Sequence, residues 1–227
     1  MGLVERKERE KEQRRQQIIT SAERLFVDQG VKLTTMEQIA NDCEISRGTL
    51  YLYFKSKEEL LSHIMMKSMD ILIGLMKNAI EKAETIESKL EVIGKNYLLY
   101  YKNYRTYFKM FNMMTERENF REIGESSVKL FQKSGDVWKL IVDVIKPAIK
   151  SGYFRENTDP YELSITLWSA SNGVIQLLDH FGSAHGNDIS DNQQDAPGLE
   201  VLSEFRKINL EAILAKLWEH IINGNKK

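Results

Sequence analysis

An all-α fold is what this sequence predicts, and three observations predict it. Apolar residues recur at three- and four-residue spacing almost without interruption along the 227 residues. No run alternates β-branched with polar side chains, and only three prolines occur. The arrangement expected is a three-helix unit with a helix-turn-helix at its centre, followed by a larger helical region.

Composition bounds the function. Charged residues make up 29% of the chain but sum to a net charge of −1, so any nucleic-acid contact must rest on local segregation of charge. The single cysteine, Cys43, excludes an internal disulfide and reads as a small core residue in a reducing cytoplasm. The charged N-terminus is unlike a secretory signal, and no apolar run approaches the ~20 residues of a membrane span. A soluble cytoplasmic protein without a membrane partner is expected. His63, His180, His185 and His220 form no i, i+4 ligand pair, so neither a metal nor another cofactor is implied. No Ser/His/Asp constellation suggests an enzyme.

The elements follow in order. Residues 1–15 carry six basic and four acidic side chains and read either as a solvated helical extension or as an arm whose Arg14 and Arg15 reach a phosphate or minor groove. From Ile18 the spacing of Ala22, Leu25 and Phe26 gives one apolar helix face, ended by Gly30 as C-cap. Thr35 with Gln38 and Ser56 with Glu59 fit capping boxes, and Ser46 caps a short helix between them. Ile39, Ala40, Cys43, Ile45, Leu50 and Phe54 sit where two short crossing helices bury them. Between Ser46 and Lys57 the charged residues are Arg47, Lys55 and Lys57, with no acid, among hydroxyls and tyrosines. Such a surface suits phosphates and base edges. Two short amphipathic helices joined by a corner are also common as plain structure.

A helix begun at Ser56 runs to about Lys82, and ~25 residues span about 38 Å, enough to link two domains. Residues 87–114 hold more tyrosine, phenylalanine and methionine than one helix face requires. They are either core or, in part, the lining of a cavity for an apolar or aromatic molecule, for which Met65, Met69, Tyr97, Tyr101, Tyr104, Phe108, Phe111, Met114, Trp138 and Trp168 are the candidates. A long helix over 119–151 should turn Phe131, Trp138, Ile141 and Ile145 inward and bend near Pro147 before stopping at Gly152. Asp159 and Pro160 start the next helix. The last two, about 160–182 and 199–222, are apolar around most of their circumference. They pair either within a monomer or with a second copy through Trp168, Ile175, Phe205, Leu210, Leu214, Leu217 and Trp218. The polar segment between them reads as a loop whose Asp188, Asp191 and Asp195 do not follow a calcium-loop spacing.

The run T-x-x-x-I-A beginning at Thr35, followed from Ser46 by S-R-G-T-L-Y-x-Y-F-K-S-K-E-E-L, closely resembles the DNA-binding domain of the TetR family of bacterial transcriptional regulators. The resemblance covers about the first seventy residues. It departs at Glu44, where the family usually has a corner glycine. It implies a DNA-binding domain over 12–72, with its motif at about 35–54, and a helical ligand-binding and dimerisation domain over 73–227. It further implies a homodimer on a near-palindromic operator in double-stranded DNA, released by an unidentified small-molecule effector; a constitutive DNA-binding protein without a pocket is the alternative. Carried onto this chain, the resemblance makes Arg47 a reader of a guanine edge, with Ser46, Gly48 and Thr49 close to the bases. Thr35, Tyr51, Tyr53, Lys55 and Lys57 would hold phosphates, and loss of Lys57 should then flatten the salt dependence of binding.

Overall fold

The computed structural model describes residues 2–113, 125–183 and 208–227, leaving aside the side chains of residues 3, 111, 113, 125–127 and 180–183. Every regular element among them is helical: α1 (Leu3–Gln29), α2 (Met36–Asp42), α3 (Arg47–Tyr53), α4 (Lys57–Lys82), α5 (Ile86–Asn103), α6 (Arg105–Met113), α7 (Glu125–Lys150), α8 (Pro160–Ser183) and α9 (Leu210–Asn225). The all-α expectation holds. None of these helices is long and apolar enough to cross a membrane.

The chain forms two compact units, one of Met1–Gly74 with Lys102–Val137 and one of Leu75–Tyr101 with Trp138–Lys227. In the first, Ile18, Ala22 and Phe26 of α1 are buried, as are Ile39 and Ala40 of α2, Leu50 of α3, Phe54, and Leu60 and Ile64 of α4. These are the residues the helical spacing marks as apolar faces, because i, i+3 and i+4 positions share one side of a helix. Residues 3–16 are helical as well, so the charged N-terminal segment is an extension of α1.

Local chemistry sets the boundaries. Thr35 and Gln38 form the expected capping box, Gln38 N donating to Thr35 Oγ1 at 3.2 Å and Thr35 N to Gln38 Oε1 at 2.8 Å. Ser46 accepts from Thr49 N at 3.0 Å. At Ser56 the box is shifted: Glu59 N donates to Ser56 Oγ, but the Glu59 carboxylate reaches back to Lys55 N at 2.6 Å. Gly30 and Gly152 adopt φ of 87° and 76°, the left-handed region a helix stop uses. Glu44 does the same at φ 54°, so the corner keeps the backbone of a glycine with another residue in it.

In the second unit α8 packs on α9. Asp159 caps α8 through Tyr161 N and Glu162 N, at 2.7 and 2.9 Å. The C-terminus is tied back: Phe154 bridges Lys226, and Arg155 N donates to Asn225 O at 3.0 Å. The last helix runs Leu210–Asn225, capped by Asn209 through Ala212 N at 3.0 Å, which corrects the expected single helix from about 199 to 222; residues 199–207 lie outside the described residues. Phe131, expected inside, is 60% exposed, because the buried line of α7 runs through Leu130, Val137, Ile141 and Ile145. Cys43 is half-buried at the edge of α2, not in the core.

Candidate nucleic-acid interface

The candidate interface is the outer face of α3 and its supports. Leu50 and Phe54 anchor α3 beneath, both fully buried. Arg47, Gly48, Tyr51 and Leu52 are exposed, as are Thr35, Ser46 and Lys55; Thr49 and Tyr53 are half-buried. Seven residues make about two turns, so the set is a short rod with one apolar underside and one open face. The Arg47 guanidinium lies 5.6 Å from the Tyr51 ring centroid, a cation–π contact between i and i+4 positions that aims the side chain along the helix. Ser46 and Thr49 hydroxyls are 2.8 Å apart at its N-terminus.

Two buttresses hold the rod. Asp42, at the end of α2, accepts from Ser21 Oγ at 2.6 Å and from the Arg24 guanidinium of α1. The Arg24 hydrogen bond first, then that of Ser21, holds its carboxyl below the usual carboxylate range. At the other end Arg15 lies 4.4 Å over the Phe54 ring, donates to Tyr53 O at 3.4 Å, and contacts His63 Nε2 at 2.7 Å. An arginine only donates, so Nε2 accepts and His63 is neutral with its proton on Nδ1. Burial, then the Arg15 charge, pushes the His63 pKa below its ordinary value.

Lys57 departs from the expectation of a phosphate contact. Its ammonium is enclosed by backbone carbonyls of the loop before α2: Val31 O at 2.7 Å, Thr34 O at 3.0 Å and Lys32 O at 3.5 Å. Three donors meeting three acceptors make it a staple joining α4 to the approach to Thr35. Its cation is spent inside the protein.

In the same unit α6 is fastened to α1 and α4. Tyr107 Oη donates to Glu23 Oε1 at 2.8 Å, and Lys67 Nζ reaches the same oxygen at 3.1 Å. Nothing in the spacing of residues 23, 67 and 107 announces this clamp.

The candidate effector residues fall in both units. Met65, Met69 and Phe108 are buried and Tyr104 half-buried in the first. In the second, the buried Tyr97 hydroxyl donates to Asn172 Oδ1 at 2.9 Å, and Tyr101 to Asp179 Oδ1 at 2.6 Å. Burial drives the Tyr97 pKa strongly upward. Trp138 meets Trp168 edge-on, centroids 5.5 Å apart. The Phe111 side chain and Met114 lie outside the described residues.

Of the residues expected at a dimer face, Phe205 lies outside the described residues. Ile175, Leu214 and Trp218 are buried within the protomer, which corrects their assignment. Trp218 is held by its indole N–H on Ser171 Oγ at 2.7 Å and packs on Gly94, where a Cβ would lie 3.1 Å from the ring. Trp168, Leu210 and Leu217 are half-buried. The exposed large apolar side chains of α8 are Tyr161 and Ile165, one turn apart on one side, and Leu177 on another side.

A short, acid-free helix exposed on a braced three-helix unit defines a helix-turn-helix DNA-binding protein. Residues 18–64 match the family of bacterial regulatory proteins described as tetR family. Over those residues, which hold α2, α3 and the start of α4, the chain is similar to the DNA-binding domain of that family of transcriptional regulators. It is 26% identical over 187 residues to the fatty acid metabolism regulator protein of Bacillus subtilis, a match covering 71% of this chain and 92% of that one. To the transcriptional repressor KstR2 of Mycolicibacterium smegmatis it is 24% identical over 146 residues, 64% of this chain and 70% of the other. Its fold is similar to that of FadR from Bacillus subtilis solved in complex with stearoyl-CoA, with TM-score 0.67 and 18% identity over 92% of this chain and 98% of that one.

Proposed function

We propose that this regulator is a cytoplasmic homodimeric repressor whose paired α3 helices bind a near-palindromic operator and leave it when a small apolar effector binds. The observation that carries the DNA-binding part is the open face of α3, with Arg47 steered by Tyr51 and no acid from Ser46 to Lys57. Arg47 reads a guanine bidentately; Thr35, Ser46, Thr49, Tyr51, Tyr53 and Lys55 hold the flanking phosphates and bases. Residues 12–72 are the DNA-binding domain and 73–227 the effector-binding and self-associating one. The exposed Tyr161 and Ile165, one turn apart on the same side of α8, support self-association through that helix. A catalytic role is not part of this reading.

An apolar effector is supported by the likeness to the fatty acid metabolism regulator of Bacillus subtilis and by the fold shared with FadR from that organism, solved with stearoyl-CoA. A long-chain acyl thioester is therefore the first class to test. Bound among aromatic and methionine side chains, such a ligand would act on DNA affinity only through its preference for the non-binding arrangement. The clamp of Tyr107 and Lys67 on Glu23 supplies a route by which α6 bears on α1 and α4. The competing reading, a constitutive DNA-binding protein, is favoured by Tyr97 and Tyr101, whose hydroxyls already have internal partners.

The test is fluorescence anisotropy of operator DNA with and without stearoyl-CoA, paired with thermal melting. Ligand-responsive repression predicts a raised melting temperature by mass action and weakened DNA binding. Unchanged operator affinity on ligand binding would leave the constitutive reading.

A further inference from the structure

Leu52 is the most exposed large apolar side chain among the described residues, at 84%. A lone exposed leucine on an ordinary surface means little. This one stands elsewhere. At about 100° per residue, Leu52 and Gly48 each lie two residues from the buried Leu50, so together they form the line of α3 opposite its anchored underside. A Cβ at Gly48 would meet nothing nearer than Ser46 Oγ at 3.8 Å, so this line is bare. Arg47 and Tyr51, paired with each other, flank it on one side and Thr49 on the other. When a helix enters a groove, its outermost line goes deepest. The deepest side chain of α3 is therefore an alkyl group with a charged and hydroxylated rim.

An alkyl group can neither donate nor accept a hydrogen bond. In the major groove the base-edge feature it can recognise favourably is the C5 methyl of thymine, while a cytosine amino group or purine acceptor pressed against it loses water without replacement. We infer that Leu52 determines specificity by packing on a thymine methyl in each half-site, an assignment that rests on the DNA-reading role proposed for α3. It adds a second kind of readout beside Arg47: one position read by hydrogen bonds, another by shape and water exclusion.

The experiment begins by selecting the operator from a random duplex library with the full-length protein. Each thymine is then replaced singly by deoxyuridine, which removes the methyl and keeps every base pair. For the wild type, one such replacement per half-site should weaken binding about fourfold, the worth of one methyl returned to water. Leu52→Ala should bind the thymine operator more weakly and no longer distinguish it from the deoxyuridine one. Its melting temperature should match the wild type, since the side chain packs on little. If no deoxyuridine position matters, or if Leu52→Ala keeps the full discrimination, the assignment is wrong while α3 remains a DNA reader. If the selection enriches no sequence, the DNA reading itself falls and this inference with it.

Discussion

The outer face of α3 and the interior of the second unit use similar side chains to opposite ends. Both carry hydroxyls and aromatic rings. In the second unit the Tyr97 and Tyr101 hydroxyls and the Trp218 indole N–H are turned on Asn172, Asp179 and Ser171. Buried polar groups need such partners, since an unmet one costs about 1–3 kcal/mol. On α3, by contrast, Tyr51 and Arg47 stack on each other in the open and Leu52 stands uncovered. The difference separates a region built to be complete alone from one that is complete only against a partner. Lys57 shows that position alone does not decide which: it lies just beyond α3, yet belongs energetically to the first kind.

The sharpest test of that contrast sets Leu50 against Leu52, one helix and two residues apart. Leu50→Ala, at a fully buried site, should cost about 2–5 kcal/mol in denaturant titration. Leu52→Ala should leave the titration where it was. Equal losses would mean that α3 is covered on both sides.

Next come Arg47 and Lys57. Arg47→Ala should reduce affinity about 10- to 100-fold at one operator position, with the melting temperature intact. Lys57→Ala should instead lower the melting temperature, weaken every sequence alike, and leave the slope of log affinity against log salt unchanged. A slope smaller by about one would restore the phosphate role.

The Arg15–His63 junction makes a pH prediction. The native state resists protonation of His63 more than the unfolded chain does. Its contribution is therefore intact above the ordinary value of 6.5 and is lost as pH falls from there through the lowered native one. Wild-type stability should fall in that window, and His63→Gln should flatten the profile. An identical pH dependence in both would place the titrating group elsewhere.

The smallest effect is at the corner. Glu44 holds φ 54° with a side chain. Relief of that strain, offset by the added freedom of the unfolded chain, should make Glu44→Gly more stable by about 0.5 kcal/mol. A loss of stability would show that the Glu44 side chain contributes something the backbone argument omits.

Much of this was legible in residue order because it is short-range physics. The caps at Thr35, Ser46 and Asp159 act over two to three residues, so the donors they satisfy can be read directly. Helical phase likewise marked Ile18, Ile39, Leu50 and Phe54 as interior. The same phase misjudged Phe131, which is exposed, and Ile175, which is buried, because helices apolar on several sides leave the choice to their neighbours. Leu52 escaped notice for the opposite reason: an apolar residue in a short helix reads as core until its neighbour Leu50 is seen to occupy the underside.

What residue order alone determined is the all-α class, the helix starts at Thr35, Ser46 and Asp159, the stops at Gly30 and Gly152, and the acid-free stretch that marks the DNA-binding face. Each follows from spacing within a turn or two. Tertiary structure decided the destinations of individual polar groups: Lys57 to carbonyls 23 to 26 positions away, Arg15 to His63 48 positions away, Trp218 to Ser171. Chain folding brings those partners together, and a hydrogen bond a few ångströms long is indifferent to how many residues lie between its ends.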